Sequence, residues 1–352
     1  MDRPLSLVTG SCGFMGTMMC EVLAEAGHRI RATDLPKAHE KDDRVRGLFP
    51  SVVDRVGAEF VPEDLARPRD LAGLVKDVDY IFHIAAVFSY SAPWDVLYRV
   101  NCLGTEALLE AVLARPRPPK RFVLWGAGGV YGLPSWRPGR PFRETDAVLP
   151  ANPYLKSKWL AEHAVMQAEK RGLSWSILRP TTVYGPRAVY GGGQMVMAAA
   201  GMKIAAAPRN FTGRIPFIHV RDVCRAALHV ATVPAGANRI FNTSDDTQMT
   251  TAGYFQHMAS LTGAKFVELP AVPLDRMKPA LRTFAQTMQK ITGMLGVPSP
   301  VEADTIDYLN EDFVYANDEL KSTGFRFTYP DARDGLRDTL RWYRDNGWLA
   351  AK

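Results

Sequence analysis

Leu5-Ser6-Leu7-Val8-Thr9-Gly10-Ser11-Cys12-Gly13-Phe14-Met15-Gly16 is the stretch that sets the architecture. A short apolar run ends in three glycines spaced three apart. A helical pattern through Met19, Val22, Leu23 and Ala26 follows and is closed by Gly27. Strand, glycine turn and helix in this order suit a dinucleotide pyrophosphate. The glycines let the backbone approach the phosphates, and the helix N-terminus faces their negative charge. Gly10, Cys12, Gly13, Phe14, Met15 and Gly16 are therefore candidate cofactor contacts. The spacing is G-x-x-G-x-x-G, not the commoner G-x-G-x-x-G, and alone it is weak. Arg29–Thr33 reads as a second strand ending at Asp34, about 20 residues beyond the turn. A carboxylate there accepts hydrogen bonds from the adenosine ribose and repels a 2′-phosphate, which makes NAD the expected cofactor.

Outward from this stretch, strand and helix alternate. Glu59-Phe60-Val61 leads to Asp64-Leu65, a carboxylate expected beside the adenine. Val78–Phe82 reads as a buried strand running into His83-Ile84-Ala85-Ala86, where Ala85 and Ala86 leave room for the cofactor. Asp95–Leu113 is an expected helix carrying Asn101, a candidate cofactor residue, and Gly104. Arg121–Trp125 is the next strand and Ser174–Leu178 the one after the following helix. Six strands separated by helices predict an α/β fold with a doubly wound parallel sheet of Rossmann type, its ligand at the carboxyl ends of the strands.

Between those last two strands lies Asn152-Pro153-Tyr154-Leu155-Lys156-Ser157-Lys158. Pro153 suits a first helical turn, and Tyr154 and Lys158, four apart, share one face. A phenol has a reference pKa of about 10, so proton transfer near neutral pH needs help. An ammonium one turn away favours the phenolate and makes Tyr154 a candidate general acid/base. Tyr and Lys at this spacing are ordinarily a packed ring beside a solvated charge; their place after a dinucleotide turn gives them a chemical reading.

The chain of 352 residues is long enough for two domains, and its 47% hydrophobic and 23% charged residues suit a soluble core. The net charge of +6 is scattered, without a stripe of Lys and Arg interleaved with aromatics, so nucleic acid is not an expected partner. Cys12, Cys20, Cys102 and Cys224 show no C-x-x-C or His-spaced metal pattern, which suits a reduced, cytoplasmic setting with no metal. No signal peptide is expected before Leu5. Met195–Ala207 is apolar but too short to span a bilayer and reads as a packed helix. Beyond Arg179-Pro180 the alternation loosens. Residues 1–180, with returns near 217–243 (Phe217–Val223 and Ile240–Asn242), form the expected NAD-binding domain; residues 181–216 and 244–352 form a smaller, interleaved substrate domain ending in a helix over Ala332–Tyr343.

With these residues in view, the sequence resembles the extended short-chain dehydrogenase/reductase family, in its NAD-dependent epimerase/dehydratase and 3β-hydroxysteroid dehydrogenase-like branch. The likeness runs through Thr9–Gly16, Asp34, Asp64-Leu65, His83–Ala86, Asn101, Val130-Tyr131-Gly132, Tyr154–Lys158, Leu178-Arg179-Pro180, Val183–Arg187 and Phe217–Val223. The resemblance implies that Tyr154 is the general acid/base and that Lys158 holds the nicotinamide ribose and lowers the tyrosine pKa. It adds Pro180 to the cofactor contacts and implies a homodimer through the Tyr154 region. It also implies a Ser or Thr three residues before Val130, hydrogen-bonded to the reacting oxygen; that position is Ala127. Loss of one such donor costs on the order of 10²–10³ in rate. Another donor substitutes (Ser89, Ser91, Thr181, Thr182 or a backbone N–H of Gly128-Gly129), or the reaction does not need it, or the chain binds cofactor with little turnover.

The expected activity is interconversion of a secondary alcohol and a ketone on a small apolar molecule, sterol-like, aromatic or alkyl. The Met- and Phe-rich stretch Pro270–Pro300 is a candidate cover for it. A nucleotide-sugar epimerase or dehydratase with tightly held NAD, and a dinucleotide sensor, are the competing readings.

Overall fold

The computed structural model describes residues 3–136, 139–294 and 302–349. Its strands in chain order are β1 (Leu5–Thr9), β2 (Arg29–Thr33), β3 (Glu59–Phe60), β4 (Tyr80–His83), β5 (Arg121–Trp125), β6 (Trp175–Pro180), β7 (Thr182–Tyr184), β8 (Ile204–Pro208), β9 (Phe217–His219), β10 (Arg239–Thr243) and β11 (Lys265–Leu269). The six expected strands join β10 in one parallel sheet of order β3-β2-β1-β4-β5-β6-β10. Winding reverses direction between β1 and β4, where Thr9 lies opposite both Thr33 and His83. Crevices outside the carboxyl ends of strands at such a reversal are where ligands bind in this architecture. The glycine turn and His83–Ala86 both leave the sheet there.

Every residue of β1, β5 and β6 is buried, as a parallel sheet covered on both faces requires. One face packs under the helices Phe14–Glu25 and Val220–Thr232 through Met18, Met19, Leu23, Val223, Ala227 and Val230. The other packs under Gly104–Leu113 and Pro153–Ala168 through Leu108, Leu109, Val112, Ala161 and Val165. Across this second layer Glu162 and Arg179 form an ion pair at 2.7 Å with both side chains out of water, and the guanidinium lies over the Tyr131 ring.

One expectation needs correction in the second half. Ile240–Asn242 lies in the main sheet within β10. In Phe217–Val223 the strand β9 pairs with β7 in a separate ribbon, and the helix from Val220 packs on the main sheet. Met195–Ala207 is not one helix: Gly192–Ala200 is helical, then Ile204–Pro208 forms β8 beside β11. Gly201 and the alternating exposure of Ile204–Ala207 explain the break, since period-two burial belongs to a strand. Among the described residues no helix is long and apolar enough to cross a membrane.

The helix Leu274–Met294 corrects the expected substrate cover. Its Phe284 and Met294 are 61% and 86% exposed and point into solvent. The part of Pro270–Pro300 from residue 295 lies outside the described residues. What the helix does contribute is Arg282, which pairs with Asp304 at 3.1 Å and with Asp307, fixing the short turn Ala303–Tyr308. That turn brings Tyr308 toward the sheet.

Candidate active site

The glycine turn is built for close backbone approach. Gly10 adopts φ +67°, and a Cβ there would stand 3.0 Å from the Ala85 backbone. A Cβ on Gly16 would meet the Gly10 carbonyl oxygen at 1.9 Å, so turn and helix touch with no room for a side chain. Cys12 is fully buried and its thiol is pushed up to about 12, chiefly by burial, so it is an inert filler and no nucleophile. The Asp34 carboxylate accepts from the Cys12 N–H at 3.0 Å and the Leu35 N–H at 2.8 Å, which ties the end of β2 to the turn. Burial raises its pKa against those two donors. Turn and carboxylate thus form a cradle that fits NAD: the Gly10–Gly16 backbone would hold the pyrophosphate and Asp34 the adenosine ribose. Tyr190 lies across this cleft, its ring 6.4 Å from Phe14 and 5.8 Å from Phe88, its hydroxyl turned to the Phe14 N–H.

Replacing Asp34 by Ala is expected to bring the NAD and NADP dissociation constants together, because the like-charge contact with a 2′-phosphate disappears. Absolute NAD affinity should also fall, since the Cys12 N–H loses its partner. Calorimetric titrations showing equal affinity for the two cofactors in the unmodified chain would contradict this assignment.

Asp64 caps the Ala66 N–H at 2.9 Å, and Leu65 packs its carbonyl against the position of Gly104. Beside them the buried Glu63, which sequence reasoning missed, accepts from the N–H groups of Asp64, Arg69 and Asp70 and shapes the whole turn. Ala85 and Ala86 are half-buried at the mouth of the crevice, and Pro180 closes β6 beside Gly128.

A single file of hydrogen bonds links this cofactor side to the tyrosine. Thr9 Oγ1 accepts from the Ile84 and Ala85 N–H groups and faces His83 Nδ1 at 2.8 Å. Thr105 Oγ1 donates to the Asn101 carbonyl at 2.7 Å and faces His83 Nε2 at 2.9 Å. With the Thr105 proton already given away, the imidazole must donate from Nε2 and accept at Nδ1. Burial holds its pKa down to about 3, so the ring is neutral and structural. Both protons of the Asn101 amide are spent, on the Val87 carbonyl at 3.1 Å and on Ser157 Oγ at 2.9 Å, and its Oδ1 accepts from the Val87 N–H. It positions the Val87 loop against the catalytic helix and has no proton left for a cofactor. The π-helical segment Tyr98–Leu103 turns it inward.

Asn152 caps the helix Pro153–Ala168 by accepting from the Leu155 N–H at 2.9 Å, with Pro153 in the first turn as the sequence predicts. Tyr154 and Lys158 are both buried on its inner face. Their electrostatics differ from the expected pairing. The Tyr154 phenol is held far above its ordinary value by burial, with Tyr90 and Tyr190 adding to the rise. Lys158 is itself pushed down to about 8 by burial, and Glu162 only partly offsets that. Burial works against the charged form of each group, so Tyr154 is held neutral with a proton ready to give.

At the substrate end, Ala127 precedes the turn Gly128–Tyr131 and belongs to one apolar cluster with Tyr154 and Phe313, against which Tyr90 and Tyr308 pack. Of the substitute donors named from sequence, Ser89 and Ser91 hydroxyls both donate to Glu302, at 2.9 and 2.8 Å. Thr181 donates to the Thr243 carbonyl at 3.2 Å. The Thr182 backbone bonds to Pro216, and its methyl lies toward Gly192. The Gly128 carbonyl accepts from Tyr315 Oη at 3.1 Å. Glu302 is 213 residues from Ser89 and Tyr308 is 156 from Asn152, and nothing local in the sequence marks them.

A crevice with this cradle at one end and a buried Tyr154/Lys158 pair at the other defines a dinucleotide-dependent enzyme of the short-chain dehydrogenase/reductase type. The chain belongs to the NAD dependent epimerase/dehydratase family, whose model matches residues 6–243. NAD is accordingly its cofactor. A UDP-glucose 4-epimerase of Mycolicibacterium smegmatis is 30% identical over 273 residues, covering 74% of this chain and 83% of that protein. A sterol-4-alpha-carboxylate 3-dehydrogenase, decarboxylating, of Mus musculus is 26% identical over 249 residues, covering 68% of this chain and 63% of its own length. The crystal structure of a Thermus thermophilus UDP-glucose 4-epimerase complex with NAD aligns at a TM-score of 0.70 and 22% identity, over 97% of this chain and 99% of that one.

Proposed function

We propose that this enzyme interconverts a secondary alcohol and a ketone on an apolar, sterol-like, aryl or alkyl substrate. The observation that carries the reading is the wall around Tyr154 and Ala127, made of Val87, Phe88, Tyr90, Leu155, Tyr308 and Phe313. Such a wall gains from apolar burial and offers a phosphate nothing. The chemistry that bound NAD supplies is hydride exchange with the substrate carbon. In reduction Tyr154, neutral in this setting, gives its proton to the carbonyl oxygen; the phenolate so formed is the species that takes the hydroxyl proton back in the oxidative direction. Lys158 would hold the nicotinamide ribose.

One feature favours a second reading, a nucleotide-sugar substrate. A cavity of about 700 Å³ has Arg140, Arg214, Arg276 and Lys278 in its walls and does not include Tyr154 or Ala127. Its cations are largely engaged, Arg140 by Asp146, Arg214 by Asp312 and Lys278 by Glu311, which weakens it as a diphosphate site. A panel of sterols, aryl ketones and UDP-sugars, followed at the reduced-nicotinamide absorbance band and by product analysis, separates the two. Net turnover of free NAD with an apolar alcohol supports the first. Epimerisation of a UDP-sugar with NAD retained on the protein overturns it.

A further inference from the structure

Ala127 brings a methyl group to the place where the reacting oxygen needs a hydrogen-bond donor. The nearby hydroxyls are mostly spent: Ser89 and Ser91 on Glu302, Thr181 on Thr243, Tyr131 on Asn242 Oδ1 at 2.7 Å and Tyr315 on Gly128. Two phenols in the same cluster are not. Tyr308 Oη accepts from Asn152 Nδ2 at 3.2 Å, and its ring stacks on Tyr90 with centroids 5.8 Å apart. Tyr90 stands between, its centroid also 5.8 Å from that of Tyr154, and its hydroxyl has no partner among the described residues.

We infer that Tyr90 Oη donates to the reacting oxygen the hydrogen bond that a Ser or Thr at 127 would give. The inference rests on the alcohol–ketone reading above. Its support is geometric. Glu302 grips the backbone and both serines of Ser89–Ser91, reaching the Tyr90 N–H at 3.4 Å and the Ser91 N–H at 3.1 Å. The ring is then packed between Tyr154, Phe88 and Tyr308, so the hydroxyl starts from a fixed base. A preorganised donor in a water-poor site is the kind that lowers a barrier. Burial and the Glu302 carboxylate push the Tyr90 phenol up to about 12, so it keeps its proton. Two tyrosines thus divide the work: Tyr90 donates a hydrogen bond throughout, and Tyr154 transfers the proton.

Tyr90→Phe, Ala127→Ser and the double variant, measured by single-turnover hydride transfer on an alcohol from the panel, test this, with NAD affinity followed separately by calorimetry. Tyr90→Phe should lower the rate by ~10²–10³ with NAD affinity unchanged. In the Tyr90→Phe background, Ala127→Ser should restore most of the loss, a rescue that a purely structural role for Tyr90 would not show. Full activity in Tyr90→Phe while Tyr154→Phe is disabled would overturn this inference and leave the reaction assignment intact. Loss without rescue would overturn it too, making Tyr90 a packing residue. Full activity in both tyrosine variants would instead sink the reaction assignment.

Discussion

Tyr154→Phe is expected to lower single-turnover hydride transfer by at least ~10²-fold, the usual worth of a positioned general acid/base, with little change in NAD affinity. The ring stays, so its edge-to-face contact with Phe88 at 5.1 Å stays as well, and only the transferable proton is lost. The pH profile should carry a second signature. Because Tyr154 holds its proton far into the basic range, it cannot supply the basic limb of the reductive reaction. Lys158 can, since its charge is lost as pH rises through about 8. Lys158→Arg keeps the charge and should carry that limb upward, while Lys158→Met should abolish it and weaken NAD binding. An unchanged profile in both lysine variants would show that the ammonium plays no part in the step.

Glu162→Ala is expected to cost about 3–5 kcal/mol of stability, the range for removing one partner of a buried ion pair. Arg179 is 2% exposed at its side chain and Glu162 fully buried, so the orphaned guanidinium would have no water to turn to. Denaturant unfolding reads the loss. Replacing both, Glu162→Leu with Arg179→Met, should recover much of it, because the cost lies in the stranded charge more than in the pair. A small effect of Glu162→Ala would mean that the pair is not isolated from solvent. Glu162→Gln has a different use. Glu162 is the main charge raising Lys158, so neutralising it should move the basic limb below about 8.

The sheet and the cofactor end of the site are legible in the sequence because their signals are local. A phosphate turn must place its glycines within one loop, and a Tyr one helical turn before a Lys is marked by spacing alone. Asp34 is legible for the same reason, at a fixed distance from the turn. Asn101 is visible as a residue but not as a role, because its partners Val87 and Ser157 come from two other elements. The pairing of β9 with β7, and not with the sheet, follows from tertiary packing that a three-residue strand does not announce. The spacing of Tyr154 and Lys158 shows the neighbouring ammonium but hides the desolvation of both groups, which raises the phenol and lowers the lysine. Tyr90 and Tyr308 carry no motif at all. Their relevance exists only once Glu302 and Arg282 have set them against Tyr154.

The Glu302 grip also orders events in time. Ser89 and Glu302 are 213 positions apart, so a chain growing from its N-terminus makes the glycine turn, Asp34, Tyr154 and Lys158 long before it makes the carboxylate that fastens the Ser89–Ser91 loop. At the usual pace of about 5–20 residues per second, that interval lasts on the order of ten seconds or more. Throughout it, the nascent chain carries the cradle residues without the carboxylate that fastens the reaction chamber. The clasp on the Ser89–Ser91 loop is thus made last, and a nascent or truncated chain ending before Glu302 carries the cradle and the Tyr154/Lys158 pair but lacks it.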